Sequence, residues 1–196
     1  RPGWLWWSGV LPGGIALAAH LLPGFQPTPL WPPRQLSDDA PPYTLRLSWD
    51  KLLLGLTLLA WWLGRPQRPA VNPRLAALAG LITLLAVPLA ALALGLVGWQ
   101  PKWPQQLWLW LVVNLGVAVL AEELLFRAWL QQALVARLGT LGGLIATALL
   151  FGAAHLPFSA LFALVALLAG LGYGLVFYYS GRLWAGVALH ATVKLW

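Results

Sequence analysis

An all-α, polytopic transmembrane bundle is the fold class this sequence predicts, and three observations carry the prediction. Of 196 residues, 60% are hydrophobic and only 9% are charged, against about 45–50% and about 25% in soluble globular domains. Twelve basic and five acidic side chains cannot cover a water-facing globule of this size, and the same hydrophobicity excludes a disordered chain. The apolar residues gather in Leu/Ala/Gly runs with 14 Trp among them, the pattern of helices anchored at a bilayer interface.

An apolar stretch of about 17–25 residues crosses the hydrocarbon as a helix, and about seven segments are read this way. The first is Trp4–Leu22, interrupted by Pro12-Gly13-Gly14, and the second is Ser48–Gly64. Leu75–Trp99 follows with Pro88 inside it, then Leu107–Leu130 and Leu141–Leu156. Ala160–Tyr179 is the sixth, and the last runs from Leu183 to the end. Between the first two lies a Pro-rich polar stretch, 23–49, too long for a turn and read as an extramembrane loop. The segment Gln131–Leu138 reads as an interfacial amphipathic turn. Two regions result: residues 1–74, with two spans and the loop, and residues 75–196, a core of five spans. The chain opens at Arg1 without Met, so its natural start is expected to precede it. The last apolar run is shorter than a full span, so the natural chain is expected to continue past Trp196.

Charge and composition narrow the chemistry. With no cysteine, thiolate catalysis, disulfides and cysteine metal sites are excluded. The net charge of +7 is read as the basic excess of short loops that orients membrane helices, not as a nucleic-acid footprint. Arg65, Arg68, Arg74, Arg127, Arg137 and Arg182 all fall on one side by alternation. That side is assigned to the cytoplasm, and the N-terminus with it. The opposite side receives Lys102, in the short connection Gln100–Gln106, and the long loop, where Arg34, Arg46 and Lys51 are balanced by Asp38, Asp39 and Asp50.

Three acids thus belong to the outer loop or its edge, which leaves Glu122 and Glu123 inside an apolar span. A carboxylate there costs about 2.5–3.5 kcal/mol on insertion scales and is a functional candidate by default. Glu123 and Arg127 stand i,i+4 in the favourable order for an ion pair. Glu122 lies about 100° round the helix and is not accounted for by that pair. The three histidines also sit in apolar spans. His20 reads as a packed or interfacial residue. His155 and His190, each unremarkable alone, can form a buried polar site with Glu122, since lipid offers them no partners. Counted from the span ends, Glu122 and His190 lie about 12 Å deep and His155 about 21 Å. Asn114, two turns before Glu122, is expected to bond within such a site or across to another helix. Ala166-x-x-x-Gly170-x-x-x-Gly174 is a small-residue ridge for close helix packing.

Three short patterns carry a resemblance to a known family. Glu122-Glu123-Leu-Leu-Phe-Arg127 resembles the E-E-x-x-x-R motif of the CPBP intramembrane proteases, which include CAAX proteases and bacteriocin-processing enzymes. Phe151-x-x-x-His155 resembles their F-x-x-x-H motif, and His190-x-x-x-Lys194 their H-x-x-x-N/D motif, with Lys in place of Asn or Asp. The resemblance covers roughly residues 75–196 and implies a glutamic-type intramembrane endopeptidase. It implies Glu122 as the base that activates water, His155 and His190 as its partners, and Lys194 at the position that stabilises the oxyanion. Glu123, Arg127 and Phe151 are implied as structural support. Lys194 can hold developing negative charge or extend toward an interface.

The same residues allow two mechanisms. In one, no metal takes part and Glu122 is the general base. In the other, Glu122, His155 and His190 bind zinc and leave one position for water. The sequence has no H-E-x-x-H, and a lone carboxylate must serve as ligand or base, so the metal-free route is preferred. The expected partners are a membrane-anchored peptide or protein substrate and the lipid bilayer, with no nucleic acid. The expected location is a prokaryotic plasma membrane. Two readings of other classes stand beside the protease. One is a non-catalytic immunity or scaffolding protein derived from the family, which the Lys194 departure favours. The other is a small transporter with a Glu/His relay, though an inverted repeat is not visible in the sequence.

Overall fold

The computed structural model describes residues 13–14, 16–17, 23–35, 42–98 and 106–195. The described part is mostly helical. Trp4–Leu22 with His20, the loop acids Asp38 and Asp39, and the Lys102 connection lie wholly or largely outside these residues. Two compact units are formed, one by Arg1–Trp61 with Lys102–Leu125, the other by Trp62–Pro101 with Phe126–Trp196.

In the first unit the Pro-rich stretch is folded. Strands β1 (Thr28–Pro29) and β2 (Arg46–Leu47) pair antiparallel, Thr28 opposite Leu47. A further bridge joins Arg34 to Tyr43. Aromatic and aliphatic side chains explain why this loop is ordered: Trp31 and Leu45 are buried in one cluster with Val113, flanked by Tyr43, Leu109 and Trp110. Helix α1 (Trp49–Leu63) begins with Asp50 in its first turn, the favourable end for a negative charge. Its 15 residues give about 22 Å of helix, short of the hydrocarbon thickness. Leu54, Gly55, Leu58 and Trp62 form its buried stripe at helical spacing. A Cβ placed on Gly55 would lie 3.3 Å from Ala121 Cβ, so the glycine lets two backbones approach closely.

Ala121 belongs to a long helical run, Leu107–Ala153. It comprises α3 (Leu107–Val113), a first π segment (Asn114–Val119), α4 (Leu120–Glu123), a second π segment (Leu124–Gln131) and α5 (Gln132–Ala153). The helix passes through Gln131–Leu138 and breaks at a single residue, Gly139, with φ 73° and ψ 173°. A Cβ on Gly143 would collide with the backbone of Val135, so the chain reverses at Gly139 and the two arms touch. The expected interfacial turn at Gln131–Leu138 is therefore corrected to helix. Its glutamines are engaged with backbone instead: Gln131 Nε2 donates to Gly174 O (2.9 Å) and Gln132 Nε2 to Ala128 O (2.6 Å).

The second unit holds α2 (Pro73–Ala93), α6 (Ala160–Ser180) and α7 (Leu183–Lys194), with α6 packed against α2, α5 and α7. Asn72 caps α2 by accepting from Leu75 N–H, and Pro73 fits the first turn, where an N–H would have no helical partner. Ser159 caps α6 in the same way through Phe162 N–H. Gly181 ends α6 in the left-handed conformation (φ 67°), against the carbonyls of Arg68 and Pro69. Val71 and Asn72 N–H both donate to Tyr179 O, which ties the basic loop to that helix end.

The small-residue ridge of α6 packs as its spacing predicts. Gly170 faces Phe151, and Gly174 faces Gln131 and Leu144. Leucines such as Leu78, Leu81, Leu85 and Leu89 on α2 and Leu164 on α6 are exposed, as lipid-facing side chains are. Among the described residues, three helices are long and apolar enough to cross a membrane: Pro73–Ala93, Leu107–Ala153 and Ala160–Ser180. That count treats the arms joined at Gly139 as one helix, while the 12-residue α7 is apolar but shorter.

The Gly55–Ala121 approach makes a direct prediction. Disulfide formation needs Cβ atoms about 3.5–4.5 Å apart, and the chain has no cysteine of its own. Gly55→Cys with Ala121→Cys should crosslink on mild oxidation, read by mass spectrometry of the linked peptides. Thr57→Cys, on the exposed side of α1, should not link to Ala121→Cys. Equal linkage of both pairs would overturn this packing.

Candidate active site

The two acidic residues of the first motif end α4 in the first unit. Glu123 is fully enclosed, at 0% exposure. Glu122 is partly buried and is engaged by an ammonium from 71 positions away: Lys51 Nζ donates to Glu122 Oε1 at 3.1 Å, with side-chain exposures of 21% and 14%. Lys51, expected in the outer-loop charge balance at the edge of the second span, stands in the first turn of α1, on the same face as Gly55 four residues on. Asp50 remains beside it, its Oδ1 accepting from Lys51 N–H at 2.8 Å. Asn114 takes neither role expected of it at its donor end, because its Nδ2 donates to Trp110 O one turn back at 3.0 Å. The two π segments flank α4 on both sides, and such wide turns occur mostly where function displaces a helix from its ideal winding.

In the second unit one ring organises the remaining motif residues. Phe151 lies near the end of α5 and meets Phe126 edge-on at 5.0 Å and Tyr173 at 6.1 Å between centroids. It also lies 4.7 Å from the His155 ring and 5.9 Å from the His190 ring. The two histidines are thus neighbours of a single side chain, despite the different depths counted from the span ends. The second arm of α5 runs from Gly139 to Ala153, and the turn at Ala154–Phe158 follows it and carries His155.

His155 Nδ1 bonds to Phe151 O at 2.7 Å. A carbonyl only accepts, so Nδ1 carries the proton, and in the neutral ring Nε2 is the basic nitrogen. Phe158 and Phe162 flank the other side of His155. His190 is buried at 4% exposure and stacks on Tyr173, centroids 4.6 Å apart and planes 20° from parallel.

Arg127 is completely enclosed, at 0% exposure. Its guanidinium carbon lies 4.9 Å from the Phe151 ring centre, 5.8 Å from Tyr173 and 6.0 Å from Phe126. Aromatic faces hold a cation by their quadrupole. Arg127 is therefore removed from the set of loop charges that orient the chain, whereas Arg65, Arg68, Arg74, Arg137 and Arg182 are all exposed. Lys194 is exposed in the last turn of α7, where a cation complements the helix dipole.

The structure thus gathers Arg127, Phe151, His155 and His190 in one unit and joins Glu122 to Lys51 in the other. Within either unit, among the described residues, no three His, Asp or Glu side chains are grouped to hold a metal ion. Lys51 and Tyr173 are the residues that motif reading missed. Tyr173 carried a faint signal, a polar-tipped aromatic inside the glycine ridge of an aliphatic span.

Truncating the central ring tests its role. A buried Phe→Ala change costs about 3–5 kcal/mol, so Phe151→Ala should unfold at clearly lower denaturant or temperature in detergent micelles. Parent-like unfolding would remove Phe151 as the organiser of this cluster.

Residues 104–196 match a family model described as Type II CAAX prenyl endopeptidase Rce1-like. That stretch contains all three motifs and α3 through α7. A search among curated proteins gave no match, and a search among solved structures gave none. The match over residues 104–196 makes this part of the chain similar to the Rce1-like type II CAAX prenyl endopeptidases and is consistent with a CPBP family intramembrane protease.

Proposed function

We propose that the protein is a glutamic-type intramembrane endopeptidase that hydrolyses a peptide bond of a membrane-anchored peptide or protein. The observation that carries this reading is the family match over residues 104–196, which contains Glu122, His155 and His190 together. The matched family's description puts prenylated C-terminal tails first among the substrates to be considered.

Glu122 takes a proton from water as the water oxygen attacks the scissile carbonyl, and later returns that proton to the leaving amine. The basic Nε2 of His155 and the enclosed ring of His190 assist at the oxygen that becomes negative. Lys194 supplies positive charge to the same oxygen. Glu123 and Arg127 support the helix that carries Glu122. In this reading no metal takes part, and the chain crosses a prokaryotic plasma membrane about seven times. Its exposed arginines, Arg65, Arg68, Arg74, Arg137 and Arg182, face the cytoplasm.

Loss of a general base costs about 10²–10⁴-fold. Glu122→Gln, His155→Ala and His190→Ala should each reduce cleavage by that order while the protein still inserts. The measurement is a comparison of membrane-protein termini in cells carrying the parent or each variant. Termini unchanged between parent and Glu122→Gln would sink the proposal, and a gain of cleavage in Lys194→Asn from an inert parent would identify a decayed site.

The metal question has its own test. Purified protein should keep its activity in a strong chelator and contain no stoichiometric zinc by elemental analysis. Activity lost to chelator and restored by zinc would replace the metal-free mechanism with the zinc one.

A further inference from the structure

We infer that Lys51 is a positioning residue for Glu122, fixing the carboxylate in the orientation from which it acts on water. The inference rests on the reading of Glu122 as the general base. It adds to the site a residue that lies outside the matched stretch and outside all three motifs.

Several independent features put Lys51 there. Gly55 brings α1 against Ala121, and Lys51 stands one turn before Gly55 on the same face. The ammonium therefore meets the next residue of α4 without bending either helix. The resulting contact, 3.1 Å between Nζ and Oε1, is made by side chains only 21% and 14% exposed. An ion pair sheltered from water to that degree is less screened than a surface pair. Asp50, the nearest competing carboxylate in sequence, is turned toward the backbone, with Oδ1 on Lys51 N–H at 2.8 Å.

Lysine also suits the task by its shape. Its ammonium is a compact point charge on a long flexible stem, which can hold a carboxylate without imposing the two-pronged geometry of a guanidinium. A general base needs its carboxylate held in one orientation, because a misplacement of about 1 Å costs about 10²-fold in rate. The other lysine near the motifs, Lys194, is exposed in the last turn of α7.

The test uses the full chain in detergent micelles with an internally quenched farnesylated C-A-A-X peptide as probe. Lys51→Met should lower kcat about 100-fold and leave KM within about threefold. Lys51→Arg keeps the charge and should stay within about tenfold of the parent. Both variants should retain the parent's Gly55→Cys/Ala121→Cys crosslink, which reports the helix contact without using activity. Parent-like kcat in Lys51→Met, a fall confined to KM, or a Lys51→Arg variant as impaired as Lys51→Met would each overturn the inference. A crosslink lost in Lys51→Met would also overturn it, by making the residue a packing element. Glu122→Gln separates this from the underlying reading: a parent-like rate there overturns Glu122 as base, whereas an inactive Glu122→Gln beside a normal Lys51→Met overturns Lys51 alone. A parent that leaves the peptide intact overturns the prenylated-tail substrate class.

Discussion

Hydrocarbon offers no hydrogen bonds, so every polar group on these helices must find its partner within the protein. The economical solution recurs along the chain. Thr57, Thr83, Thr147 and Thr192 each turn the hydroxyl back onto the carbonyl four residues earlier, at 2.7–2.8 Å. Asn114 and Gln132 do the same with their amide nitrogens. A polar side chain that can be satisfied by its own helix is compatible with almost any neighbour and says little about function. Ionised groups have no such local solution, because a single backbone carbonyl cannot compensate a buried charge. They force contacts between elements, and those contacts are where this fold is specific: Lys51 with Glu122, and Arg127 among Phe126, Phe151 and Tyr173.

The same distinction explains what was legible in the sequence. Because lipid selects for hydropathy alone, apolar length and composition identify helix α6 almost to the residue and the start of α2 within two, whereas α2 ends at Ala93, six residues before the expected Trp99. The ridge on α6 is legible too, since small residues at a spacing of four can only serve close packing. The reversal at Gly139 was not. One glycine among 20 gives no compositional signal, and the flanking Gln131–Leu138 looks polar enough to be a surface turn until Gln131 is seen bonded to Gly174 O. The folded state of the Pro-rich loop was hidden for a related reason. Its order comes from Trp31 and Leu45 meeting Val113, a contact across more than 65 positions that no local pattern announces.

Buried charge is the harder to read from sequence. Five of the arginines expected to orient the chain are exposed, whereas Arg127, counted with them, is enclosed by aromatic rings. Lys51 was counted with the loop because it stands at the edge of an apolar run beside Asp50. Its position in the first turn of α1 gives its stem enough reach to bring the ammonium onto Glu122. Motif reading finds residues whose spacing is fixed by one helix, so Glu122, Glu123 and Arg127 were found together. It cannot find a partner supplied by another helix, which is why Lys51 and Tyr173 escaped it.

The segment from Leu124 to Gln131 shows how far this part of the chain is committed to protein contacts. A helix at a lipid boundary buries one stripe and exposes the rest. Here Leu124, Leu125, Phe126, Arg127, Ala128, Trp129 and Gln131 are all buried, so every side of the helix is covered. The winding is π over the same eight residues, and a wide turn is retained only where surrounding contacts over-determine it. Arg127 and Gln131 sit on this enclosed stretch and can reach neither headgroups nor water. Their partners must be protein groups, and removing one would leave the other buried without compensation. The motif arginine is thus held by burial on all sides of its helix as much as by its charge, which is why its i,i+4 spacing from Glu123 describes only part of its role.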